Sequence, residues 1–266
     1  MNIIVVCQAR MSSTRFPGKI FQNVCGKTLL ELQIERISQA KTPSQIIIAT
    51  TINPNDDQIE ELCKKNNFEY FRGDEYDLLD RHYKAVKYLN PDAVVKIPSD
   101  CPLIDPKIID KVIQFYIDNH HIYDYVSNLH PPTYPDGNDV EIMSFETLER
   151  NWKEAFRDFE REHTTPYIWD NPDKFRIGNV VWETGLDYSL SHRFTLDYIE
   201  DYMFIKAVYE NLYYKNKFFS LEDILNLLNE KPEIYQLNNK YAGINWYRHH
   251  LRNLKTISPN MTSNFN

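Results

Sequence analysis

The run Asn2-Ile3-Ile4-Val5-Val6-Cys7, followed directly by Gln8-Ala9-Arg10-Met11-Ser12-Ser13-Thr14-Arg15-Phe16-Pro17-Gly18-Lys19, decides how this chain is read. Its apolar, β-branched first part predicts a strand buried on both faces, as strands of parallel sheets are. The part after it gathers Arg10, Arg15 and Lys19, the hydroxyls of Ser12, Ser13 and Thr14, and a Pro-Gly turn. Parallel α/β sheets bind ligands beyond the carboxyl ends of their strands, where this loop lies. A triphosphate needs several N–H and cationic donors around one compact anion, and such a loop supplies them. A solvated basic turn alone explains one or two arginines. It does not explain three cations crowded beside a strand end in an acidic protein. The loop is neither GxxxxGK[ST] nor GxGxxG, which disfavours a kinase or a dinucleotide-binding protein.

The same texture continues to about residue 130. Strands are expected at Gln45–Ala49, Phe68–Phe71 and Ala93–Ile97, and helices at Thr28–Gln39, Asp56–Lys65, Glu75–Leu89 and Pro106–Asp118. Continuous apolar strands alternating with helices of this length predict an α/β fold. Its Rossmann-like, mostly parallel sheet would be covered by helices on both faces. Beyond His130, a loop leads into a strand at Val140–Met143, and Ser144 caps a helix reaching Ala155. Phe175–Val181 and Arg193–Leu196 read as further strands, and Asp197–Tyr213 and Leu221–Asn229 as helices. This suggests one domain over residues 1–250, with a small appended acceptor-side lobe at about 131–174. A loose tail is expected at 251–266.

Composition narrows the function. The chain has 266 residues, enough for one large α/β core, and a formal net charge of −8. Nonspecific nucleic-acid binding relies on a surplus of Lys and Arg, so nucleic acid is an unsuitable partner. Cys7, Cys25, Cys63 and Cys101 are too few and too scattered for a disulfide framework or a structural zinc site. The opening apolar run is too short for a signal peptide or a membrane span. A reduced cytoplasmic protein is the expectation.

Strand Ala93–Ile97 ends in Pro98-Ser99-Asp100-Cys101-Pro102, which places a carboxylate at a strand's carboxyl end. Mg²⁺ takes one or two protein carboxylates and fills its remaining positions with phosphate oxygens and water. Asp105, before Pro106, is the better helix cap, which leaves Asp100 for chemistry. Arg193–Leu196 ends similarly at Asp197.

QARMSSTRFPGK resembles the nucleotide-binding loop of the CMP-sugar synthetases, closest to the spore-coat polysaccharide biosynthesis protein F branch. Further segments match in family order: GDEYDLLDRHYKA (Gly73–Ala85), KIPSDCPLIDP (Lys96–Pro106) and PDGNDVEIMSFETLE (Pro135–Glu149). REHTTPYIWDNPDKFRIGN (Arg161–Asn179) and RFTLDYIEDYMFIK (Arg193–Lys206) follow, so the likeness spans about residues 2–245. It implies a nucleotide-diphospho-sugar transferase type of fold and a cytidylyltransferase that uses CTP and Mg²⁺. The metal would sit on Asp100 and Asp197. Arg10 and Lys19 would hold the β- and γ-phosphates, with Gln8, Ala9, Ser12, Ser13 and Arg15 lining the nucleotide. Cytosine would be read by the backbone of Cys7–Ala9, or by Asp80 and Arg81 with Ser99.

The acceptor, an acidic sugar or a phosphorylated small molecule, would meet Asn138, Asp139, Glu141, Arg161, Glu162 and His163. A homodimer is possible, since the aromatic stretch Tyr198–Phe219 either lines an interface or belongs to the core. Two other readings stand beside this one. A metal-dependent glycosyltransferase would need a DxD motif, and Ser99-Asp100-Cys101 lacks the second acid. A non-catalytic CTP-binding subunit would not need both aspartates and all three loop cations.

Overall fold

Ile4, Val5, Val6 and Cys7 expose none of their surface, because the strand they form is hydrogen-bonded on both sides and covered on both faces. The computed structural model describes residues 1–263. In chain order it contains β1 (Ile3–Gln8), a hairpin of β2 (Asn23–Val24) and β3 (Lys27–Thr28), α1 (Leu29–Ile37), β4 (Gln45–Thr51), α2 (Asp57–Asn66) and β5 (Glu69–Gly73). Next come α3 (Leu78–Val86), β6 (Ala93–Pro98), α4 (Pro106–Asn119), β7 (Tyr125–Ser127), β8 (Glu141–Ser144), α5 (Phe145–Glu154), α6 (Asp158–His163) and α7 (Pro166–Trp169). The chain closes with β9 (Ile177–Asn179), α8 (Ile199–Leu212), α9 (Leu221–Glu230) and α10 (Pro232–Tyr235), with short 3₁₀ turns between.

Seven strands form one sheet in the order β5-β4-β1-β6-β8-β7-β9, in which only β8 runs against its neighbours. The expected α/β class, mostly parallel with helices on both faces, is what the chain adopts. Several of its helices start where the sequence supplies a side-chain acceptor for the first free N–H groups. Thr28 and Glu31 make a capping box on α1, and Asp77, Asp105 and Ser144 cap α3, α4 and α5. Asp105 is thus the cap, and Asp100 is free of that duty.

Three expectations need correction. Arg193–Leu196 is not a strand: Phe194 N donates to Asp136 O at 2.7 Å and Leu196 N to Asp100 O at 2.8 Å. It pairs with two loops rather than a sheet edge, and this draws Asp100, Asp136 and Asp197 together. Gly137 permits the approach. Its φ is +102°, and a Cβ there would stand 2.6 Å from the Phe194 carbonyl carbon.

The stretch 131–174, expected as a lobe, supplies β8 to the middle of the sheet, with Ile142 and Met143 fully buried. A boundary at 131 therefore cuts through the sheet. The tail from 251 is not loose over its described part. Leu254 and Ile257 are buried against the α5–α7 side of the sheet, and the Asp170 carboxylate accepts from Lys255 N and Thr256 N. Residues 264–266 lie outside the described residues. In the Tyr198–Phe219 stretch, Phe204, Tyr209 and Phe219 are core, whereas Tyr214 is exposed.

Candidate functional site

A cleft of about 500 Å³ opens along the carboxyl ends of β1, β6 and β7. Gln8, Arg10, Ser13, Arg15, Lys19, Arg81, Ser99, Asp100, Asn138, Asp139, Glu141, Glu162, His163 and Asp197 all line it. Four expected site residues do not, Asp80 among them. Ala9 is buried, with its N–H on Ala49 O at 3.1 Å; Ser12 turns its hydroxyl to Glu75 at 3.2 Å; Arg161 is discussed below.

The loop after β1 is closed on itself. Met11 O accepts from Ser13 N at 2.9 Å and from Gly18 N at 3.1 Å, while Met11 N donates to Asp56 at 2.7 Å. Gly18 takes the left-handed conformation needed to turn the chain toward Lys19. Lys19 Nζ donates to Asp197 Oδ1 at 2.9 Å and to Leu196 O at 2.5 Å, and lies 3.5 Å from Asp100 Oδ2. Arg15 reaches the same Asp197 oxygen at 2.6 Å. Arg10, by contrast, makes no ion pair among the described residues and faces the cleft.

Asp100 and Asp197 face one another around the Lys19 ammonium. Arg193, 2% exposed, backs this pair and donates to Asp201 at 2.9 Å, Asp197 Oδ2 at 3.1 Å, Asp136 at 3.3 Å and Ile244 O at 2.8 Å. Burial alone would raise the Asp197 carboxyl, but Lys19, Arg15 and Arg193 hold it well below the usual range. Asp139 goes the other way. Burial, with the Asp100 charge adding to it, pushes its carboxyl up to about 7. Burial also raises Asp136, against the pull of Arg193.

Beside β1 the cleft is tightly bonded. Gln8 Nε2 donates to Leu78 O at 3.0 Å and meets His82 Nδ1 at 3.1 Å, while Gln8 Oε1 accepts from Arg81 at 3.1 Å. Arg81 is 1% exposed and also donates to Asp74 O at 2.7 Å, so it is a structural strut as well as a cleft residue. Asp80 does not reach the cleft, because its carboxylate accepts from Trp152 Nε1 at 2.9 Å and pairs with Lys84.

Sequence reasoning was least successful on the acceptor side. Arg161 clasps Asp77, the cap of α3, at 2.6 Å and 3.0 Å, and donates to Trp152 O. This fixes it away from the cleft. Asn138 lines the cleft, but its amide bonds Asp105 N at 3.1 Å and Pro135 O at 3.2 Å. Glu141 is tied to Lys96 and Tyr125 OH at 2.5 Å each. His163 stacks on Trp246 with ring centroids 3.7 Å apart. Lys96, Asp136, Arg193, Trp169, Trp246, Tyr247 and His250 also line this part and were missed. Asp136 and Arg193 stand inside matched motifs, and their charge was the available signal. The Trp246 segment offered none.

Asp100 and Asp197 suit a hard divalent cation, since their donors are carboxylate oxygens that already share one cation. Among the described residues no cluster of three or more His, Cys, Asp or Glu forms a closed metal cage.

A mostly parallel α/β sheet with this basic loop and acidic pair across one cleft defines a nucleotidyltransferase. The cytidylyltransferase family model matches residues 4–227, and the chain belongs to that family. It is 31% identical over 237 residues to the spore coat polysaccharide biosynthesis protein SpsF of Bacillus subtilis, covering 87% of this chain and 96% of that one. A solved cytidylyltransferase from Leptospira borgpetersenii is 35% identical, with a TM-score of 0.83, over 89% of this chain and 97% of that one. A CMP:2-keto-3-deoxy-manno-octonic acid synthetase solved with CTP shares the fold at 14% identity and a TM-score of 0.61, over 79% of this chain and 99% of that one. Among the described residues no helix is long and apolar enough to cross a membrane.

Proposed function

We propose that this chain transfers CMP from CTP to an acidic sugar or phosphorylated small acceptor, releasing pyrophosphate, in the biosynthesis of a surface polysaccharide. The observation that carries this reading is Lys19 held between Asp100 and Asp197, beside an Arg10 that no carboxylate of the described residues neutralises. The polysaccharide role is supported by the likeness to SpsF.

Arg10 and Lys19 bind the β- and γ-phosphates, Lys19 exchanging Asp197 for a phosphate oxygen as CTP enters. Arg193 keeps the Asp197 carboxylate aimed into the cleft. The acceptor oxygen attacks the α-phosphorus in line. As that bond forms, the bond from phosphorus to the α,β-bridging oxygen breaks, and pyrophosphate leaves with the electron pair. A phosphate or carboxylate acceptor brings no proton, whereas a hydroxyl acceptor releases its proton to water. Asp100 and Asp197 would hold Mg²⁺, which would supply charge neutralisation for the transfer. Positioning and charge stabilisation account for most of the rate in such transfers. The four unpaired cysteines suit a reducing cytoplasm.

Pyrophosphate release from CTP, scanned over sugar acids and phosphorylated polyols with Mg²⁺, tests the reading. Release that depends on one acceptor supports it. CTP binding without release on any acceptor would favour a non-catalytic subunit.

A further inference from the structure

Lysine–carboxylate pairs stand in both halves of the cleft. Lys19 with Asp197 marks the nucleotide half, and Lys96 with Glu141, at 2.5 Å, marks the acceptor half. Lys96 and Glu141 are cross-strand partners on β6 and β8, one step along from Val94 and Met143, which are fully buried on the same face of the sheet. An apolar pair is often as stable in such a place as a buried ion pair, so stability alone does not account for this one.

The pair can part without leaving a bare carboxylate. Glu141 also accepts from Tyr125 OH at 2.5 Å and is hydrogen-bonded to the Thr165 side chain, so it keeps two donors when the Lys96 ammonium turns away. Arg10 lines the same cleft from the loop after β1 and has no carboxylate partner among the described residues. The two charges converge on His163. Burial pushes its pKa down to about 3, helped by the charges of Lys96, His250, Arg10 and His249.

One unpaired cation and one releasable cation match a dianion. A carboxylate brings a single charge, whereas a phosphomonoester carries about 1.5 to 2 negative charges at neutral pH. The planar guanidinium fork suits phosphate oxygens, and its five donors let Arg10 serve the triphosphate and a second phosphate beside it. A phosphate nucleophile also brings no proton, and the neutral His163 is too weak a base to remove one from a hydroxyl.

We propose that Arg10 and Lys96 together hold a phosphomonoester as the acceptor, so that the product is a CDP-linked compound. A phosphate oxygen of the acceptor attacks the α-phosphorus of CTP. The bond from that phosphorus to the α,β-bridging oxygen breaks, and pyrophosphate leaves with the electron pair. The new linkage is a phosphoanhydride, and no proton changes hands. Lys96 exchanges Glu141 for the acceptor as Lys19 exchanges Asp197 for CTP. This rests on the cytidylyl-transfer reading and chooses among its acceptors.

The test loads the protein with α,β-methylene CTP and Mg²⁺, then measures the binding of inorganic phosphate and of acetate by calorimetry. Wild type is compared with Lys96→Met/Glu141→Gln, which removes the cation without stranding the carboxylate. Phosphate should bind about tenfold or more tightly than acetate, and the double variant should lose about tenfold or more of the phosphate affinity. Its affinity for the CTP analogue should stay within about twofold, which also reports that it is folded. In parallel, ³¹P NMR follows CTP with glycerol 3-phosphate, ribitol 5-phosphate and N-acetylneuraminic acid, and a phosphoanhydride product from a phosphorylated acceptor is expected. Acetate bound as tightly as phosphate, phosphate binding indifferent to the double variant, or turnover of the sugar acid alone overturns this proposal and leaves cytidylyl transfer standing. Where none of the three turns over, phosphate binding decides; where the double variant does not fold, the wild-type preference for phosphate over acetate decides. Failure of the wild type to bind the CTP analogue overturns both readings.

Discussion

Lys19 Nζ and Asp197 Oδ1 are 2.9 Å apart although 178 residues separate them in the chain. The first loop of the sheet is thereby joined to the amino-terminal end of α8, across the cleft. Burial lowers the Lys19 pKa, but Asp100 and Asp197 more than offset this and raise it overall, so the ammonium stays charged. Lys19→Ala should lower kcat by about 10²-fold or more, as loss of a preorganised charge stabiliser does. Steady-state kinetics at saturating CTP checks this, and a variant with unchanged kcat would remove Lys19 from the mechanism.

Arg193 serves a different purpose. It sits among Asp136, Asp197 and Asp201, and removing one partner of a buried ionic network leaves uncompensated charge. Arg193→Met should destabilise the fold by about 3–5 kcal/mol. Urea unfolding would show it as a lower midpoint at unchanged slope. A midpoint equal to that of the wild type contradicts the network.

Arg161 is expected to affect stability and not substrate binding. It holds Asp77, whose carboxylate caps α3, so Arg161→Ala should cost about 1–3 kcal/mol while KM for CTP and acceptor stays near wild type. An acceptor KM raised tenfold with unchanged stability would return Arg161 to the acceptor site.

His82 is fully buried, and burial followed by the Lys96 charge pushes its pKa down to about 3, below an unfolded value near 6.5. Between those values the unfolded chain binds the extra proton, so the His82 contribution to stability falls as pH drops below about 6.5. The slope is on the order of 1 kcal/mol per pH unit until the folded pKa is reached. Buried Asp139, raised to about 7, acts in the opposite sense, so the informative quantity is a difference. Unfolding of wild type and His82→Gln from pH 7.5 to 5 should show the wild type losing more stability. Parallel curves would contradict a neutral His82.

The parts of the fold visible in the sequence were those with dense local signals. β1, β4 and β6 read as strands because their apolar runs are continuous, and α4 and α5 because Asp105 and Ser144 announce them. β7 was missed, since three residues are too few to display a period. Leu254 and Ile257 look like isolated apolar residues in a polar tail, and their burial depends on a distant surface. At the site, the basic loop after β1 and Asp100 were legible as charge placed at strand ends, whereas Asp197, which follows no strand, was picked out through the family resemblance. Arg161 was misread because its partner, Asp77, lies 84 residues away. Trp246 was unreadable for the same kind of reason, since nothing near it in sequence marks the cleft it lines.

From its place opposite Asp197, Asp100 is proposed to take part in cytidylyl transfer. The most direct measurement is pyrophosphate release from CTP with Mg²⁺ and an accepted acceptor, comparing wild type with Asp100→Asn. A fall of about 10²-fold or more in rate, with CTP still bound, is the predicted result. Near-full activity in Asp100→Asn would remove Asp100 from the chemistry.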